Sequence, residues 1–201
     1  MFALVESGSI IKMLRGNKGI TIDGIQHPRA IYTLWTEAER NAINIYTVEY
    51  DDSNKKDEKW YINTDQSYAF GSGKVTATYG TATARAHADT LFTAQDETDG
   101  KGTEGEVATR GLKYNLIQTV KAQAEGELNR TDWYITRKAE KNTAIPSAIT
   151  THRDAVRSKQ AAMETAITNA SDTPALETLY TYTRQEDGST TRPLGELPTL
   201  E

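Results

Sequence analysis

The sequence of 201 residues contains no cysteine. Disulfide bonds, thiolate metal sites and cysteine nucleophiles are therefore excluded, as is typical of proteins made in a reducing cytoplasm. The sequence also has no apolar run near the ~18 to 20 residues that a membrane-spanning helix needs, and no basic stretch followed by an apolar core near Met1. We therefore expect no association with a membrane.

The chain is acidic and has few hydrophobic residues. Hydrophobic residues make up 37% of it, charged residues make up 25%, and the formal net charge at pH 7 is −5. This hydrophobic share is small for one compact core, so we expect another protein to cover part of the apolar surface. Nucleic-acid binding needs clustered cations that displace counterions from phosphates, so the overall charge predicts no nucleic-acid partner.

The residue types most used in catalysis and metal binding are scattered. The three histidines, His27, His87 and His152, are far apart in sequence, and none has an acidic or histidine partner at the spacing of a metal site. No Ser-His-Asp order and no pair of carboxylates can be singled out among the 28 acidic residues. We therefore predict no catalytic residue, no metal and no cofactor, and a protein that is not an enzyme.

Residues 1–95 alternate short apolar stretches with turn sequences, which predicts a β-rich part built from short hairpins. The Asp-Gly pair at 23–24, between isoleucine-rich stretches, is the strongest hairpin signal in the chain. Thr36 followed by Glu39 predicts a capping box at the start of a short helix. The stretch at 74–79 alternates small and polar residues, so we expect a weakly specified strand at a sheet edge or paired with another chain.

The second part of the chain is predicted to be helical. Residues 96–103, DETDGKGT, have the composition of an acidic, glycine-containing linker. Thr103 and Glu106 match a second capping box, from which a helical period runs to about residue 128. We predict a helical module at 104–183 and an extended tail at 184–201 that is either loose or docked on a partner. The predicted fold class is therefore α+β.

The most informative stretch begins at residue 131. Thr131 or Asp132 can cap a short helix whose first turn carries two adjacent aromatic residues. Those residues are Trp133 and Tyr134, which the helical period places on different faces, one as an apolar anchor and one with a polar tip. We expect both rings to contribute either to the core of the module or to a partner contact.

A long amphipathic helix is predicted to follow Pro146. Its apolar stripe, from Ile149 to Ala170, is thin and rich in alanine. Small side chains bury little apolar area, so we expect this helix to depend on a partner surface. The Thr-Pro pair at 173–174 then predicts the cap and the first residue of a last helix.

The order of these motifs resembles a known family. The C-terminal helical module of bacteriophage tail-assembly chaperones and tail-fibre-assembly proteins is similar at four places in the second half of the chain. They are TDWY at 131–134, Ile-Pro at 145–146, THRDAVR at 151–157 and LETLY at 176–180.

The first part of the chain resembles an N-terminal module that marine phages place on small tail-associated proteins. The similar stretches are MFALVESG at 1–8 and LWTEAER at 34–40, and residues 50–103 match only the marine-phage variety. The resemblance implies a non-enzymatic protein that acts by protein–protein contacts as a structural component of the virion tail or tail fibres. It would be made in the host cytoplasm and would bind other tail or tail-fibre proteins, including copies of itself.

Two alternatives remain open at this point. The chain could instead be an assembly chaperone that binds a tail or fibre protein and is then released. A more remote alternative is a nucleic-acid-binding accessory protein, because basic residues lie near aromatic ones in the helical module. The simplest interpretation of those charges is a solvated helical face. The candidate partner-docking residues are Trp133, Tyr134, Arg153 and Arg157, since aromatic and arginine side chains are frequent anchors at protein interfaces.

Overall fold

The computed structural model describes residues 1–200, which form two compact units, one of residues 1–83 and one of residues 84–200. The first unit is rich in strands joined by short hairpins and the second is mainly helical. The predicted α+β class is therefore confirmed. The boundary between the units lies before the predicted linker at 96–103, which falls inside the second unit.

The first unit is built around a five-stranded sheet with strand order β2-β1-β5-β8-β7. The β5–β8 pair is parallel and the other three pairs are antiparallel. In chain order its elements are β1 (Phe2–Glu6), β2 (Ser9–Leu14), β3 (Ile20–Ile22), β4 (Ile25–His27), α1 (Ile31–Leu34), α2 (Glu37–Asn41), β5 (Ile45–Asp51), β6 (Tyr61–Ile62), β7 (Gln66–Gly71), β8 (Lys74–Tyr79) and, at the unit boundary, β9 (Thr83–Ala84).

The sheet is packed on both faces. Because side chains alternate along a strand, Leu4 joins a cluster with α1 while its neighbours Ala3 and Val5 join a second cluster on the other face. The prediction of an edge position for 74–79 is wrong, since β8 lies inside the sheet and its Val75 and Ala77 are fully buried. The outer strands β2 and β7 contact each other, so the sheet curls around this second cluster.

Local signals in the first unit behave as predicted. Asp23 and Gly24 both have positive φ, 49° and 79°, and they connect β3 to the antiparallel β4 as a two-residue turn. The capping box at Thr36 is confirmed, because its hydroxyl accepts the Glu39 N–H and its N–H donates to the Glu39 carboxylate at 2.7 Å. Each of these features depends on residues that are close in sequence.

The described part of the second unit combines four main helices, one short helix and two short antiparallel strand pairs. Helices α4 and α6 pack along each other, with Leu116, Val120 and Ala124 buried on α4 and Val156 and Met163 buried on α6. The elements in chain order are β10 (Thr90–Leu91), α3 (Ala94–Thr98), β11 (Val107–Thr109), α4 (Leu112–Asn129), α5 (Asp132–Lys141), α6 (Ser147–Asn169), α7 (Thr173–Tyr180), β12 (Thr183–Arg184) and β13 (Thr190–Thr191).

The segment around the predicted linker folds locally. Thr93 and Asp96 form a capping box that begins α3, so the acidic residues from Asp96 to Asp99 lie on or at the end of a helix. The capping box predicted at Thr103 is wrong. Residues 107–109 pair with β10 as a strand, and the helix begins only at Leu112. A pairing partner distant in sequence overrides the local helix signal here.

The last helix and the tail also differ from their predictions. The cap of α7 is Asp172, whose carboxylate accepts the Ala175 N–H at 2.8 Å, so Pro174 is the second helical residue. The tail docks on its own unit. Leu194 is buried, its N–H donates to the Leu179 carbonyl at 3.0 Å, and its carbonyl accepts from the Lys159 ammonium at 2.9 Å. The surface that α6 was predicted to need is therefore supplied partly by the chain itself.

The close approach at Gly111 gives a stability prediction. A Cβ at this position would lie 2.2 Å from the Ala88 carbonyl oxygen, so Gly111→Ala forces the backbone apart and should lower the free energy of unfolding by about 1 to 3 kcal/mol. Gly126→Ala is the matched control, because nothing lies within 4 Å of a Cβ there. In mid-helix it should stabilise by up to about 1 kcal/mol. The measurement is urea unfolding followed by the helical circular dichroism signal. A change of stability in the same direction in both variants would contradict the close approach at Gly111.

Asp96 gives a pH prediction. The Thr93 N–H, then the Thr93 hydroxyl and the Lys101 ammonium, lower the pKa of this carboxyl from 3.8 to about 2. Because the folded pKa lies below the ordinary value, the capping contribution is present above about pH 3.8 and is lost as the pH falls through about 2. Carbon NMR of the side-chain carboxyl should therefore show a midpoint near pH 2. A midpoint near 3.8 would contradict the capping geometry.

Candidate protein-docking surface

Arg153 lies inside the second unit and not on its surface. Its side chain is 9% exposed. One of its terminal nitrogens, Nη1, donates to the Leu128 carbonyl at 2.8 Å and to the Thr131 hydroxyl at 2.7 Å. The same nitrogen lies 2.8 Å from the Asp132 carboxylate. Arg153 on α6 therefore holds the junction where α4 ends and α5 begins, and its prediction as a partner-docking residue is replaced by a role within the unit.

The junction explains why the predicted cap is different. Thr131 stands at the N-cap of α5, but its side chain does not cap the helix. Its hydroxyl instead donates to the Leu128 carbonyl at 3.0 Å and accepts from Arg153, and the residue is fully buried. Asp132 lies in the first turn, where a negative charge is favourable to the helix dipole.

The two aromatic residues of α5 stack on each other. The ring centroids of Trp133 and Tyr134 are 3.8 Å apart with an angle of 32° between the planes, so the two rings form one platform, unlike the separate anchors predicted from the helical period. Arg137 lies over both rings, with its Cζ at 4.7 Å from the Trp133 centroid and 5.2 Å from the Tyr134 centroid. This geometry is typical of cation–π interactions.

Arg137 belongs to the basic residues near the aromatic pair but was not among the four predicted docking residues. It follows Trp133 by four residues and Tyr134 by three, which is the spacing at which helical side chains meet. One turn further along lies Lys141, which is exposed. We refer to Trp133, Tyr134, Arg137 and Lys141 as the α5 surface.

The α5 surface is open to solvent. Trp133 is 51% exposed and Tyr134 is partly buried, while no residue of α5 itself is buried. Ten-residue helices are shorter than the ~12 to 15 residues at which isolated helices become marginally stable in water. Helix α5 therefore depends on its attachment at Asp132 and on the contacts of its stacked rings.

Arg157 lies apart from the α5 surface. It is exposed and pairs with Asp154 at 3.3 Å, one turn earlier on α6. It lines a shallow surface pocket of about 600 Å³ along α6 together with polar residues such as Gln160 and Glu164. Among residues 1–200 no hydrogen bond, ion pair or cation–π contact joins Arg157 to Trp133, and Arg153 is buried, so the four predicted docking residues do not form one cluster.

Within residues 1–200 no three His, Asp or Glu side chains converge as a metal site would require. Over the same residues, none of the helices combines the length and the hydropathy of a membrane span. The three histidines lie on different elements, and His27 packs edge-on against Trp35 with ring centroids 5.8 Å apart.

The role of Arg153 gives a mutational prediction. Arg153→Met keeps an unbranched apolar stem but removes the buried guanidinium, so it should lower the free energy of unfolding by about 1 to 3 kcal/mol. Arg157→Met is the matched control on the next turn of α6. It removes an exposed pair and should change stability by less than about 0.5 kcal/mol. Equal effects of both variants in denaturant unfolding would contradict the assignment.

Comparison of the chain with protein-family models, with curated proteins and with solved structures finds no match.

Proposed function

We propose that this chain is a non-enzymatic bacteriophage tail-associated protein that works by protein–protein contacts, as a structural component of the virion tail or tail fibres. The phage assignment rests on the resemblance of the motifs at 1–8, 34–40, 131–134 and 151–157. The proposal that the chain acts by protein–protein contacts rests on the α5 surface, and that surface is the observation that carries the proposal.

The α5 surface has the properties of an interface anchor. Tryptophan, tyrosine and arginine are the side chains that contribute most to binding at protein interfaces, and here they are stacked in one place. The stacking restricts the Trp133 ring before any partner arrives, so less conformational entropy is lost on binding. Trp133 is exposed on a helix that buries none of its own residues, so a partner that covers the ring would remove a large apolar surface from water.

The charges of the α5 surface indicate the chemistry of the partner. Arg137 and Lys141 carry positive charge beside the stacked rings, and Glu140 is the acidic residue nearest to them in sequence. Asp132, the other acid of α5, is already paired with Arg153. The partner surface that fits is therefore an apolar groove edged with carboxylates, on another tail or tail-fibre protein.

The same contacts weaken the nucleic-acid alternative. A phosphate-binding helix needs several free cations along one face. On α6 Arg153 is buried in its bonds to Leu128 and Thr131, and Arg157 pairs with Asp154. For Arg153 to reach a phosphate, its bonds at the junction between α4 and α5 would have to break.

The choice between a virion component and a released chaperone is open to a direct test. Neither the strand at 74–79 nor the tail depends on a neighbouring protein, because β8 is internal to its sheet and the tail docks on α6 and α7. The virion assignment therefore rests on the resemblance.

Mass spectrometry of purified particles should detect the chain. Its absence from particles, with abundance in infected cells, would establish the released form.

The docking role predicts a selective effect of Trp133. In co-expression with the tail and fibre proteins encoded beside it, the tagged chain should capture one of them, and Trp133→Ala should weaken that complex by about 30-fold, as expected for a hot-spot residue. Tyr114→Ala is the matched control. Tyr114 is an exposed ring on α4 with Arg110 at 4.2 Å from its centroid, so it has the same kind of cation–π contact outside the α5 surface. Equal loss of binding in both variants would contradict docking through α5.

A further inference from the structure

The loop between β2 and β3 concentrates positive charge in a chain whose net charge is negative. Lys12, Arg15 and Lys18 are close in sequence, and no acidic residue occurs from 7 to 22. Among residues 1–200 none of these three cations forms an ion pair, whereas Lys74 in the same unit pairs with Glu49 at 2.6 Å. Lys12 on β2 and Arg15 and Lys18 in the loop therefore carry three charges that no carboxylate of the described chain neutralises.

The three cations line one pocket. It is a surface pocket of about 380 Å³, bounded also by Asn17 and by the ring of Tyr32 from α1. Tyr32 belongs to the buried cluster of the first unit and stacks against Phe2 with ring centroids 4.9 Å apart. The pocket is thus lined by a residue of the core, Tyr32, and by residues of β2 and the basic loop.

The backbone of the loop is fixed in place and has unused donors. Gly16 has a φ of 70°, and a Cβ there would lie 3.3 Å from the Tyr32 ring; a Cβ on Gly19 would lie 2.5 Å from the His27 carbonyl oxygen. These close approaches tie the loop to the core and to β4. Within residues 1–200 the N–H groups of residues 15–19 donate no hydrogen bond. They are available to a ligand, together with the three side chains.

We infer that this pocket, the β2–β3 pocket, binds the phosphate group of a small phosphorylated compound. Ammonium, guanidinium and free backbone N–H groups are the donors that bind oxyanions in proteins, and three cations favour a dianion over a monovalent carboxylate. The pocket volume is larger than a bare phosphate needs and lies within the ~300 to 1,000 Å³ usual for small organic ligands. Asn17 and the Tyr32 ring offer an amide and an apolar wall to the rest of the molecule.

The test is a titration of the full-length, nitrogen-15-labelled chain followed by amide NMR. Glucose 6-phosphate, inorganic phosphate and unphosphorylated glucose are added separately at constant ionic strength, set with sodium chloride. Glucose 6-phosphate should shift the amides of residues 15–19 saturably with a Kd of about 1 mM, and glucose should not. Weaker binding of inorganic phosphate supports a phosphate ester as the ligand, and equal binding supports free phosphate in the same pocket.

A pair of charge-matched variants separates the pocket from overall charge. Lys12→Gln with Lys18→Gln should weaken the binding of glucose 6-phosphate by at least about tenfold, because two of the three cations are removed. Lys55→Gln with Lys56→Gln makes the same change in net charge in the same unit, at residues outside the pocket. It should leave the Kd within about twofold. Shifts that do not saturate, or equal weakening in both double variants, would overturn the inference.

Discussion

The Arg153 guanidinium lies where three helices meet, in contact with the end of α4 and the start of α5. A single nitrogen of this guanidinium, Nη1, lies within hydrogen-bond distance of the Leu128 carbonyl, the Thr131 hydroxyl and the Asp132 carboxylate, so one charged group ties three residues together. Helix α5 buries none of its own residues, so little else ties its first turn to α4 and α6. The position of Trp133, the next residue after Asp132, therefore follows from where Arg153 is anchored. Without that anchor, α5 would be a ten-residue segment too short to remain helical in water.

The basic residues of this acidic chain have different roles. Arg153 is used inside the second unit, where it stabilises a junction. Arg137 is used on the α5 surface, where it covers a pair of stacked rings and is available to a partner. The β2–β3 loop of the first unit keeps its cations free of carboxylates. Net charge therefore describes the chain poorly, because the cations that define its candidate sites are concentrated locally.

The sequence predicted those features that depend on near neighbours. The Asp23–Gly24 turn and the Thr36 capping box each involve residues at most three positions apart, and both are found. Two of the features it missed depend on distant partners. Arg153 was interpreted as a surface cation because a helical period counts arginine as polar, and its partners on α4 and α5 are more than twenty residues earlier. The β-strand at 107–109 was missed for the same reason, since only its pairing with β10 distinguishes it from the start of a helix.

The buried Arg153 guanidinium, through its bonds at the junction, orders α5 and with it the α5 surface. Amide hydrogen exchange of the Arg153→Met chain tests this most directly, because methionine keeps an unbranched apolar stem but has no N–H group to donate. We expect the amides of α5 to lose protection by at least about tenfold. The amides in the middle of α4 and α6 should stay protected, since the packing between those two helices is unchanged. Unchanged protection across α5 would show that the helix is held by other contacts and would contradict the account.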